Sequence, residues 1–191
     1  SEMCIRDSLG SVSNSGKEGF MMLGYDDIYS IEYMYEKRMG YWKHDGKVTI
    51  FDAFEKLRDN YQAIMERCRA FDELIYDDAE KAGGKKYAEI CSASYRQVIS
   101  AHKLFTDKEG NLLWFSKENN SNGCVNTVDL TYPSAPLFLI YNPELQKAMM
   151  TSIFEYSASG RWNKPFPAHD LGTYPIANGQ VYGGDLSLIH I

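Results

Sequence analysis

Residues 50–84 read IFDAFEKLRDNYQAIMERCRAFDELIYDDAEKAGG, and this stretch decides the fold class. Apolar side chains recur at Ile50, Phe54, Leu57, Tyr61, Ile64, Cys68, Phe71 and Ile75, in alternating steps of four and three. That spacing lays them along one stripe of an α-helix. It predicts one long amphipathic helix, closed by Gly83-Gly84 and with Lys81 in the last turn, where a cation meets the carbonyl end. A second helix is predicted from about Lys85 to Phe105, so the two make an αα-hairpin. Small residues at Cys91, Ser94 and Ala101 allow close helix packing, as an inner helix buried on both sides would need.

Outward from this pair the pattern changes. Phe20 to Tyr35 is an aromatic run that fits a strand or an irregular edge, and Lys43-His44-Asp45-Gly46 reads as a turn. Downstream, Lys108-Glu109-Gly110 is a turn, Leu112 to Phe115 is strand-like, and a polar, Asn-rich loop runs on to Val128. Helical signals resume near Pro133. Asn142-Pro143-Glu144 is a helix start, with Asn as cap, Pro at the first helical position and an acid in the first turn. The core face of that helix is Leu145, Met149, Ser152 and Tyr156. Residues 157–185 form a second long loop rich in Gly, Pro and aromatics. Long loops of this kind are functional or disordered, and the aromatic content argues for the former. The expected architecture is helix pairs joined by long loops on one face.

Composition narrows the function classes. With 44% hydrophobic residues the chain can build a core, and no tract of eighteen or more apolar residues marks a membrane span. A net charge of −6 without a basic stripe argues against nucleic acid as a partner. The cysteines contain no CxxC pair, and Cys68, Cys91 and Cys124 read as buried thiols. There is no HExxH, no calcium-hand loop, no phosphate cradle and no G-x-S-x-G elbow, so neither a metal nor a cofactor is expected. Residues 3–8 and 186–191 resemble forward and reverse translations of one transposase-adapter sequence. Residues 1–8 and 186–191 are therefore expected to be non-native ends of a fragment.

Four runs carry a family resemblance: Tyr25-Asp26-Asp27-Ile28-Tyr29-Ser30-Ile31-Glu32-Tyr33, Ser116-Lys117-Glu118-Asn119-Asn120-Ser121-Asn122-Gly123, Thr127-Val128-Asp129-Leu130-Thr131-Tyr132-Pro133-Ser134-Ala135-Pro136 and His169-Asp170-Leu171-Gly172-Thr173-Tyr174-Pro175. In order and spacing they resemble the glutaminase A family, over nearly all of residues 9–185. Asn120 departs from the pattern, where an aromatic is expected. The resemblance implies a mainly α fold, about the first half of an (α/α)6 toroid of six-hairpin glycosidase type, with a short β-rich N-terminal segment. Residues 9–42 would end the preceding β-rich domain and residues 43–185 would begin the toroid. It further implies a secreted or periplasmic protein that hydrolyses L-glutamine to L-glutamate and ammonia. The fragment alone would be inactive without the missing halves of its own chain. The alternative is a glycoside hydrolase of the same toroid type, since one fold hosts many chemistries; a weaker third reading is a non-catalytic carbohydrate or peptide binder.

Amide hydrolysis needs an activated water, a stabilised oxyanion and a proton for the departing ammonia, and carboxylates supply two of these. Glu118 and Asp170 stand in the two long loops as candidate acid and base, with His169 beside Asp170. Asp27, Asn119, Asn122, Asp129, Tyr132, Tyr174 and Trp162 are candidate substrate-binding residues. Asp170 alternatively binds a substrate ammonium. Each has a plainer reading: Asp170 caps a turn, Glu118 pairs with Lys117 or Arg96, His169 is a satisfied loop histidine, Asp27 bonds at a domain junction, Asp129 caps the next helix, and Trp162 and Tyr174 pack in a core. The expected ligand is a small molecule, glutamine or a carbohydrate.

Overall fold

The computed structural model describes residue 16, residues 19–118, residue 120 and residues 122–181. The expected adapter-derived ends and Asn119 lie outside the described residues.

The helical hairpin forms, with one break. Helix α1 (Ile50–Asp59) starts on a capping box in which the Asp52 amide donates to Thr49 Oγ1 at 3.2 Å and the Thr49 amide donates to Asp52 Oδ2 at 2.8 Å. It stops at Asn60, and α2 (Tyr61–Gly83) follows, so the single long helix predicted by the spacing is two. The cause is local. The Asn60 side-chain amide donates to the Lys56 carbonyl at 2.8 Å, the acceptor that its own backbone amide also uses, and its ψ of 10 leaves the helical well. Gly84, at φ +79, separates α2 from α3 (Lys85–Ser100). The pair is held by Phe71 against Tyr95 at 5.2 Å, and Tyr141 joins that cluster from a later helix.

Helix α3 ends sooner than its periodicity predicts, at Ser100 instead of Phe105. His102–Thr106 is a strand, β3, paired antiparallel with β4 (Leu112–Ser116). Pairing lets both faces of the hairpin be buried: Phe105, Leu113 and Phe115 face one core cluster, while Leu104 and Trp114 face another. Fully burying Phe105 or Leu113 is worth roughly 1.5–3 kcal/mol each, which a helix continuing into solvent would forgo. Asp107 fixes the turn by accepting from the Asn111 amide and side chain, both at 2.7 Å. Nor is α3 an inner helix among the described residues: Cys91, Ser94 and Ala101 are only partly covered, and Ala88 alone is fully buried.

Helix α4 (Val128–Tyr141) begins five residues before Pro133 and contains Pro133 and Pro136. Beyond Asp129, Thr131 and Ser134 its side chains are apolar or aromatic and spread round the helix, a composition that suits a helix covered on most sides. Here Tyr132, Leu139 and Ile140 are 84%, 60% and 69% exposed, as is Phe154 (64%) on the next helix. Helix α5 (Pro143–Ala158) starts as the sequence predicts, with Asn142 Oδ1 accepting from the Leu145 amide at 3.4 Å, and buries Met149, Ser152 and Tyr156. Leu145 is partly covered. No helix among the described residues is long and apolar enough to cross a membrane.

The aromatic N-terminal run resolves into a short strand, β1 (Ile31–Tyr33), followed by β2 (Glu36–Arg38) across a two-residue turn at Met34 and Tyr35, both at positive φ. The second long loop supplies an unexpected strand, β5 (Ile176–Ala177), parallel to β1, giving the order β2-β1-β5. The fold is mainly α, with these strands as the platform for the loops.

Candidate functional site

The two long loops meet in a hydrogen-bonded ribbon. Residues 123–128 are its middle line. On one side the Glu118 amide donates to the Cys124 carbonyl and the Asn126 amide to the Ser116 carbonyl, both at 2.9 Å. On the other the Val125 amide donates to Gly172 (2.8 Å), Leu171 to Val125 (3.0 Å), Tyr174 to Gly123 (2.9 Å) and Val128 to His169 (3.0 Å). Asn126 turns the middle line at φ +52 while fully buried, its amide donating to the Met149 carbonyl (3.0 Å) and Ser152 Oγ (2.9 Å) on α5. Gly172, at φ +131, allows the close return toward β5, since a Cβ there would lie 2.2 Å from the Ile176 carbonyl oxygen.

Three acids named from sequence converge on this ribbon. Burial pushes the Cys124 thiol up to about 11, and the charges of Asp170, Glu118 and Asp129 push in the same direction. Their surroundings differ. Asp170 is 1% exposed; its Oδ1 accepts from the amides of Gly172 (2.9 Å) and Val181 (3.0 Å), and its Oδ2 faces His169 Nδ1 at 3.0 Å. As a candidate acid or base it would need to reach substrate. In this chain its carboxylate is buried and holds a turn through the Gly172 and Val181 amides. His169, also buried, is tied to Gln180 through its amide (2.7 Å). Glu118 is only partly covered, and Asp129 is exposed in the first turn of α4. Asn122 organises the bend by accepting from the Cys124 amide at 2.9 Å.

Asp129 lies at the side of a groove of about 760 Å³ between α4, α5 and the 162–167 loop, where the structure also brings Tyr132 and Trp162, with Phe154, Lys164 and Phe166. Trp162 packs on Tyr156 and donates its indole N–H to the Phe166 carbonyl. Pro133 and Pro136 have no amide hydrogen to give the carbonyls of Asp129 and Tyr132, one turn earlier.

Asp27 and Tyr174 are not at this groove. They meet at Lys103, whose Nζ donates to Asp27 Oδ2 at 2.8 Å and to the Tyr174 hydroxyl at 2.6 Å. Burial works against the Asp27 carboxylate, but Lys103 and Ser30 more than offset it and hold it below its ordinary range. Lys103 was hidden from sequence reasoning because the helical period places it on α3; the β3-β4 register would have exposed it. A further cluster had no sequence signal. The Tyr33 hydroxyl donates to Glu155 on α5, and Glu155 shares a hydrogen bond with Asp107, in a polar cleft of about 450 Å³ that also holds Arg38, Lys108, Glu109 and Arg161. Burial, then Asp107, raises the Glu155 carboxyl above its ordinary value, although Tyr33 pulls the other way. Among the described residues no group of three or more His, Cys, Asp or Glu is arranged to hold a metal ion.

Comparison with known proteins decides the family. Residues 84–189 match the "Glutaminase A six helical-hairpin domain", more than half of the chain. The chain belongs to that family. Residues 3–78 match a second family, "Domain of unknown function (DUF5127)". Among curated relatives, glutaminase A of Aspergillus oryzae is 37% identical over 138 residues, which is 72% of this chain and 20% of the relative. A probable glutaminase of Arthroderma benhamiae is 34% identical over 109 residues, 56% of this chain and 12% of the relative. The chain thus spans a fifth or less of the length of these glutaminase A relatives. No solved structure matches it. The six-hairpin family gives α4 its physical context, since a helix exposing Tyr132, Leu139 and Ile140 belongs beside further helices.

Proposed function

We propose that this chain supplies loop residues of the active site of a glutaminase A-like hydrolase, which converts L-glutamine and water to L-glutamate and ammonia. The observation that carries the reading is the backbone ribbon that brings the segments of Glu118, Asp129 and Asp170 together beside Cys124. In this proposal Glu118, partly open to solvent, does the proton chemistry: it takes a proton from the attacking water and returns one to the departing ammonia. Asp129, exposed beside the groove, holds the substrate ammonium. Asp170 and His169 are positioning residues that fix the 169–181 loop against the ribbon. The names of the two fungal relatives support glutamine as substrate. A glycoside hydrolase is the second reading, favoured by the aromatic groove walls at Tyr132, Phe154, Trp162 and Phe166, which suit stacking on sugar rings.

The test is ammonia release from L-glutamine by the full-length parent that contains this chain, beside a panel of aryl glycosides, with Glu118→Gln and Asp129→Asn variants. Glutamine turnover that falls by about 10²-fold or more in Glu118→Gln supports the amidohydrolase. Glycoside cleavage without ammonia transfers the assignment to the sugar hydrolase, and ammonia release unchanged in both variants sinks the roles given to these residues.

A further inference from the structure

On the face of the β3-β4 hairpin that carries Phe105 and Phe115, two lysines are diagonal neighbours. Lys103 stands opposite Phe115, and Lys117 follows two residues after Phe115, its amide donating to the Ala101 carbonyl at 3.0 Å. Diagonal positions on one sheet face lie within reach of long side chains, and like charges there repel. Yet both ammonium groups converge on one ring, Lys103 Nζ at 5.0 Å and Lys117 Nζ at 5.1 Å from the centroid of Tyr174. Lys103 meets the ring at its hydroxyl, to which it donates at 2.6 Å, and the ring attracts Lys117. Only one carboxylate accompanies the pair: Asp27 binds Lys103, and no acid among the described residues pairs with Lys117.

These groups edge a cavity of about 240 Å³ whose apolar lining includes the buried Ile31, Phe105, Phe115 and Val125, and whose polar lining adds Ser100, His102 and Ser116 to Tyr174 and the two lysines. The volume is below the range of about 300–1,000 Å³ usual for drug-sized ligands. The geometry points to a binding site for a compact organic carboxylate, its short apolar body on the Ile31, Phe105 and Val125 floor and its carboxylate on the Lys117 ammonium. Lys103, already neutralised by Asp27, orients Tyr174 instead of meeting the ligand. Such an anion supplies the negative charge that the lysine pair lacks. A neutral molecule of the same shape does not, and inorganic phosphate leaves the apolar floor uncovered. The inference concerns the Tyr174 pocket alone and is independent of whether an amide is hydrolysed at Glu118.

The experiment is saturation-transfer NMR and calorimetric titration of the 191-residue chain with butyrate and L-glutamate, against butyramide and phosphate as comparators. Butyrate or L-glutamate should bind, butyramide and phosphate should bind at least tenfold more weakly, and added salt should weaken the carboxylate. Lys117→Gln should lower carboxylate affinity about tenfold or more, Lys117→Arg should retain it, and Lys56→Gln, on the exposed side of α1, should leave it unchanged. Lys117 is itself exposed, so its variants keep the fold. Binding equal in wild type and Lys117→Gln, equal binding of butyrate and butyramide, or no carboxylate binding at all each overturns the inference.

Discussion

The role of Asp170 is decided by comparing two substitutions at one position. Its Oδ1 accepts two backbone amides, from Gly172 and Val181, and its Oδ2 faces His169 Nδ1. Asp170→Ala removes the acceptor and strands the buried Gly172 amide, while the Val181 amide, on a residue 58% exposed, can turn to water. At about 1–3 kcal/mol for one buried stranded donor, the loss is a large share of a domain's stability. Asp170→Asn keeps one oxygen in nearly the same place. Its cost is only the difference between a charged and a neutral acceptor, about 1 kcal/mol. Urea unfolding followed by tryptophan fluorescence measures both values. Turnover separates the two roles: a positioning residue replaced by its near-isostere keeps ammonia release within about tenfold, whereas loss of an acid or base costs about 10²–10⁴. If the alanine variant is as stable as wild type, the turn-holding account is wrong. If the asparagine variant is equally stable but silent, Asp170 belongs to the chemistry after all.

Other expectations follow from single contacts. Glu155 has a raised folded-state value, so its contribution is complete below its ordinary 4.5 and is lost as pH rises through the folded value. Asp107, held low by Asn111 despite its burial, has the opposite sign and loses its contribution as pH falls. Glu155→Gln, which keeps a donor for Asp107 and an acceptor for Tyr33, should raise the melting temperature at neutral pH and flatten its decline as pH rises above 4.5, measured by thermal scans. Asn126 combines a left-handed backbone with two donated bonds. Asn126→Gly should cost less than Asn126→Ala by about 1–2 kcal/mol, because only alanine strains that conformation; equal losses in urea titrations would show the backbone to be irrelevant. The exposed apolar face of α4 predicts self-association. Leu139→Lys with Ile140→Lys should shift the chain toward monomer in light scattering, and an unchanged mass would mean that the face is not the adhesive one.

What was legible in the sequence was local. The Asn142-Pro143 start and the Gly84 stop are written in residues that act on their own neighbours, and both appear where the sequence places them. The errors arise where a local pattern competes with a distant partner. Asn60 sits between the stripe positions Leu57 and Tyr61 without interrupting their spacing, yet diverts the Lys56 carbonyl, a choice between two hydrogen bonds that periodicity does not register. His102 to Phe105 continues a helical period, but each face of that segment finds a separate core only when β4 lies beside it. Missing that hairpin has a functional consequence: Lys103 falls on the wrong element, so the ion pair with Asp27 and the second cation at Lys117 stay invisible although both acid and ring were named.

The acids show the complementary limit. Sequence brings Glu118, Asp129 and Asp170 forward as carboxylates in loops, and the ribbon through residues 123–128 ties their segments together, Glu118 to Cys124, Leu171 to Val125 and His169 to Val128. Residue type does not say which of them meets water. That is settled by the backbone: Gly172 and Val181 turn their amides onto Asp170 because only glycine accepts φ +131 beside the Ile176 carbonyl, and the loop closes over the carboxylate as a result. A Gly172→Ala variant would therefore act on Asp170 without touching it. With its turn opened, the carboxylate would lose both amide donors, and the 169–181 loop would lose the contacts that fix it against the ribbon.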